Sequence, residues 1–131
     1  MNKTNIKTLT CFFLIIIFLI SGLSGCKQSE QNDYPEYSVV DNKELGCAEL
    51  HYDGIVYRPY GVFTNNDFKG KQIGVREDDP EVTICEVKGY ESDEWILDHL
   101  DVFMSGGDML FKAAGVVEIP PELAKYKQYD Y

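Results

Sequence analysis

From about position 34 onward, apolar and aromatic side chains fall in short runs divided by turn-forming residues, a pattern of strands rather than helices. The clearest local signal is Asp53-Gly54 between Leu50-His51-Tyr52 and Ile55-Val56-Tyr57. Both central positions of a type I′ turn need positive φ, which Asp tolerates and Gly adopts freely, so this segment predicts a β-hairpin. Lys71–Arg76 and Val82–Lys88 read as two more strands, divided by Glu77-Asp78-Asp79-Pro80-Glu81, where Pro80 has no N–H with which to pair. Trp95-Ile96-Leu97 fits a strand or part of a helix over 93–100; the polar stretch Gly89–Asp93 before it resembles a connection between paired strands and favours the strand. Val102-Phe103-Met104 and Met109-Leu110-Phe111 flank Ser105-Gly106-Gly107-Asp108, a second predicted hairpin. Pro120–Tyr126 predicts one short helix, because proline is tolerated in the first turn and Glu122 suits its positive end. About six short strands, with turn signals roughly every ten residues, predict a mainly β fold. The expected form is a small antiparallel barrel or sandwich with a short C-terminal helix.

The N-terminus has a different pattern. Lys3 and Lys7 sit in a polar start without acids, and an apolar run follows from Cys11 to Ile20 before Ser21-Gly22 interrupts it. A membrane-crossing helix needs about 20 apolar residues, and this run is roughly half that length, which points to a cleaved signal in preference to a short uncleaved anchor. The next residues, Leu23-Ser24-Gly25-Cys26, resemble the lipobox of bacterial lipoproteins. The resemblance implies removal of 1–25, a diacylglyceryl group on the Cys26 sulfur, and attachment to the cell membrane or outer membrane with the following domain outside the cytoplasm. Two acyl chains give stable anchoring where one holds only marginally. Lys27, in place of an aspartate, removes the usual inner-membrane retention cue of that family.

Residues 26–33 then form the lipidated cysteine and a flexible tether, since 27–33 contain no apolar side chain able to bury surface. A coil of about ten residues reaches roughly 17 Å. Residues 34–131 suffice for a single small β domain. Loss of Lys3 and Lys7 with the signal takes the formal charge from -10 to -12. A field of that sign repels nucleic acid and favours basic partners.

Of four cysteines, Cys11 leaves with the signal and Cys26 carries lipid, so Cys47 and Cys85 remain as a candidate disulfide. Closing a loop of about 39 residues would stabilise the domain by roughly 4 kcal/mol in the chain-entropy model. The alternative is a pair of buried free thiols, which behave as small hydrophobes. His51 and His99 belong to no spaced ligand motif, and Cys47 with His51 would share a site only on a helix. The run 77–81 lacks the ordered spacing of a calcium loop. No phosphate-binding loop, dinucleotide fingerprint or nucleophile elbow is present, so neither a catalytic residue, a metal site nor a cofactor is expected.

Nine tyrosines, with Tyr52, Tyr57 and Tyr60 near Phe63 around the first hairpin, offer rigid apolar bodies with polar tips suited to an interface. These readings lead to a non-enzymatic envelope lipoprotein that binds a partner, a basic protein in the leading version, through an acidic, tyrosine-rich surface. The alternative is an accessory module for a small ligand or metal. One version of the first, an inhibitor of a basic hydrolase such as a lysozyme, meets a departure: Met109 stands where the lysozyme-inhibitor loop Ser-Gly-x-x-Tyr would place tyrosine.

Overall fold

Asp53 and Gly54 take φ of 49° and 77°, and the strands they join pair in antiparallel register from Tyr52↔Ile55 to Leu50↔Tyr57, the hairpin that the turn chemistry predicts. The computed structural model describes residues 33–100 and 107–131. Among the described residues seven strands follow in chain order: β1 Glu36–Asn42, β2 Cys47–Tyr52, β3 Ile55–Phe63, β4 Lys69–Arg76, β5 Val82–Val87, β6 Trp95–Leu100 and β7 Asp108–Ala113. They close into a barrel in the order β1-β2-β3-β7-β6-β5-β4. The mainly β barrel is the fold expected, and Trp95-Ile96-Leu97 opens a strand rather than a helix.

Two features differ from the expectation. β1 is absent from the expected strands, and the barrel closes through a parallel pair, Glu36↔Val75 and Tyr37↔Arg76, so it is not wholly antiparallel. Closure removes the free edges that an open sheet would expose. Of the second predicted hairpin, Val102-Phe103-Met104 and Ser105-Gly106 lie outside the described residues. Its return strand is β7, which pairs with β6 from Trp95↔Lys112 to Asp98↔Met109.

Side chains alternate across each strand, and this sheet buries apolar side chains on both faces. Tyr37, Leu50, Tyr57, Ile84, Ile96, Phe111 and Ala113 form one cluster, with Ile73 packed against it. All seven strands contribute, so this cluster fills the barrel interior. Tyr60, Cys85, Trp95, Leu97 and Leu110, on the opposite side of the same sheet, form a second cluster on the outer face of β3, β7, β6 and β5.

What covers that outer face is the C-terminal segment. The short helix α1, Pro121–Ala124, drives Leu123 to zero exposure against the second cluster. Burial of a leucine side chain is worth about 1.5–3 kcal/mol. After α1 the chain runs along β3: Gln128 and Tyr129 donate backbone N–H groups to the Tyr60 carbonyl, and Lys127 bridges Gly61. The strap docks at a β-bulge between Pro59 and Gly61, the irregularity that also accommodates a proline within the strand.

Candidate binding site

Tyr57 lies inside the barrel with 1% exposure, and its hydroxyl donates to the Ser92 carbonyl at 2.9 Å. That bond draws the connection between β5 and β6 against the β2–β3 turn. Ala113 N donates to the Glu94 carbonyl at 2.8 Å and holds the same connection from the other side. Burial, reinforced by the charges of Asp93 and Asp53, pushes the Tyr57 hydroxyl up to about 12. Tyr52 stacks on Tyr37 at 4.4 Å and 22°, so three tyrosines plug this end of the barrel.

Around that plug, Asp53, Glu91, Asp93 and Glu94 are exposed and make no ion pair among the described residues. A shallow cleft of about 450 Å³ lies between the two turns, with Ile55, Val56, Ala114 and Val116 along it and Asp93 at its rim. An apolar floor beside free carboxylates can take a lysine or arginine side chain, whose stem prefers apolar contact while its head seeks charge.

The structure narrows the tyrosine-rich surface. Tyr57, Tyr60 and Phe63 are 1%, 3% and 1% exposed, so of the hairpin aromatics only Tyr52 reaches solvent. Tyr57 faces the interior, whereas Tyr60 and Phe63 face the strap and lie beneath it.

The acidic run is exposed at Glu77, Asp78 and Glu81 but is not a free array. Arg76 forks onto Asp78 through Nε at 2.9 Å and Nη2 at 2.6 Å, and reaches Asp98 through Nη1 at 3.1 Å. The bonds from Arg76 hold the Asp78 carboxyl below the usual range. Among the described residues no three His, Cys, Asp or Glu side chains gather as a cation site.

Both histidines find carboxylates that the linear spacing did not reveal. His99 Nδ1 lies 2.5 Å from Asp108 Oδ1, a contact set by the β6–β7 pairing. His51 Nε2 lies 3.0 Å from Glu49 Oε2, two positions along the same face of β2. Glu49 also accepts from Asn42 Nδ2 and Arg58 Nε, each at 2.9 Å, although the residue is only 5% exposed. Burial alone would raise its pKa; the bonds from Asn42, His51 and Arg58, with the Arg58 charge, outweigh burial and bring it to about 2.

Cys47 and Cys85 are both buried, with no bond between them in this structure. Cys85 packs in the outer-face cluster, and Cys47 starts β2 opposite Asn42. Burial pushes both thiols up. Cys26 and the segment around it lie outside the described residues. No family model, curated protein or solved structure matches this chain.

Proposed function

We propose that this chain is a non-enzymatic lipoprotein of the bacterial envelope, anchored through Cys26, whose barrel binds a basic protein at its acidic end. One observation carries the reading: Asp93, without an ion partner among the described residues, borders an apolar cleft, and the β2–β3 turn along that cleft carries the exposed Asp53 and the exposed ring of Tyr52. Each element suits a cationic side chain on a partner. The long-range field of a strongly acidic chain steers such a partner toward the barrel, and salt screens that attraction.

Two measurements test it. Cells fed a labelled fatty acid should tag the wild type and leave Cys26→Ala unlabelled; label on the mutant refutes the anchor. Immobilised full-length protein should retain members of a panel of basic proteins, a lysozyme included, in a salt-sensitive manner. Asp53→Lys with Asp93→Lys should weaken retention about tenfold or more, because like charges then face one another. Equal retention by wild type and double variant would remove the acidic end as the binding surface.

A further inference from the structure

A second cleft has the opposite character. It lies on the outside of the barrel between β3, β7 and the C-terminal strap, encloses about 170 Å³, and gathers Arg58, Lys112 and Lys127. Three of the chain's 12 basic residues therefore line one small recess of a protein with formal charge -10. Among the described residues, Asp130 is the only carboxylate side chain along its wall.

Arg58 and Lys112 are held from outside the recess and keep donors to spare, whereas Lys127 is held by a carboxylate on its wall. Arg58 spends Nε on the buried Glu49, which Asn42 and His51 fix in turn, while Nη1 and Nη2 have no partner among the described residues. Lys112 gives one N–H to the Val116 carbonyl at 3.0 Å. Lys127 pairs with Asp130. Like charges gathered on one recess repel, and Asp130, paired with Lys127, offsets only one of the three. The free Arg58 fork matches two oxygens of one oxyanion, and ammonium groups add point charge beside it.

Aromatic rings complete the recess. Tyr129 and Tyr131 stack at 5.7 Å and 13° on one side. Tyr60, 3% exposed, lines another side, and its hydroxyl has no hydrogen-bond partner among the described residues. The recess is small, about 170 Å³, and so suits a compact charged group better than a whole cofactor.

We propose that this recess binds a small oxyanion, a phosphate or carboxylate carried on a ring, with Arg58 and Lys112 holding the oxygens and Tyr129 and Tyr131 contacting the ring. The site is independent of the acidic end, and each can fail without the other.

The test is calorimetric titration of the full-length protein in detergent with inorganic phosphate, acetate and phenyl phosphate, at ionic strength fixed with sodium chloride. At least one oxyanion should bind saturably, and phenyl phosphate several-fold more tightly than inorganic phosphate, as a ring contact requires. Phosphate without acetate identifies a phosphoryl ligand; binding of acetate identifies a carboxylate. Arg58→Gln should weaken binding about tenfold, with Arg58→Lys between it and wild type because charge survives but the fork does not. Should Arg58→Gln fail to fold, Lys112→Gln takes its place and should weaken binding in the same direction, while Asp53→Lys should leave oxyanion binding intact. No saturable heat with any probe, or affinities unchanged in the Arg58 and Lys112 variants, overturns the proposal.

Discussion

Gly61 runs so close beneath Tyr126 that a Cβ at position 61 would collide with the Tyr126 carbonyl. The contact is backbone against backbone, so no side-chain rotation can relieve it. Gly61 is also where β3 bulges and where Lys127 bridges onto the strand. Gly61→Ala should therefore lift the strap and lower stability by about 2 kcal/mol or more, the upper part of the range for overpacking. Trp95, the single tryptophan, is fully buried beneath the strap and stacks edge-on with Tyr60 at 5.1 Å, so its fluorescence reports the change. A red shift with a lowered urea midpoint is expected, whereas Gly115→Ala, with open space around it, should be neutral.

Cys47 and Cys85 should be unreactive in the folded protein and both reactive once it is unfolded without reductant. The thiolate is the nucleophile, and burial disfavours it at both positions. Mass spectrometry after alkylation in denaturant should find both peptides modified. A linked Cys47–Cys85 peptide would show that the pair is bonded in the isolated protein.

The two turns that carry the acidic end differ in how far the sequence reveals them. Asp53-Gly54 announces its hairpin because only residues that accept positive φ fit that turn. Asp93 reads only as part of a connection; its place beside Asp53 comes from the barrel and from the Tyr57 hydroxyl crossing to Ser92. β1 escapes notice because Tyr37 is its one fully buried residue, and of its two partners, β2 and β4, the second lies parallel and distant in sequence. Tyrosine burial is equally illegible. Tyr57 fills the interior and Tyr60 lies under the strap, and alternation cannot announce a sheet that is covered on both faces. The Arg58 recess depends on a strap whose docking only the bulge at Gly61 permits.

Glu49 and Asp98 should shape acid stability in opposite directions. The Glu49 pKa falls from an ordinary 4.5 to about 2 on folding, so its contribution is complete above 4.5 and is lost as pH drops through about 2. Asp98 is raised from an ordinary 3.8, because burial outweighs its pairing with Arg76. Between 3.8 and its higher folded value, the native state binds more protons, and stability from this group grows as pH falls. Urea melts between pH 7 and 2.5 separate the two. Glu49→Gln should cost about 1–3 kcal/mol at neutral pH, since Arg58 and His51 lose a charged acceptor, and should flatten the decline on the acid side. Asp98→Asn should cost less, because Arg76 keeps its fork on Asp78, and should steepen that decline. Parallel curves for wild type and Glu49→Gln below pH 4.5 would mean that the Asn42–His51–Arg58 cluster does not hold this carboxylate ionised in solution.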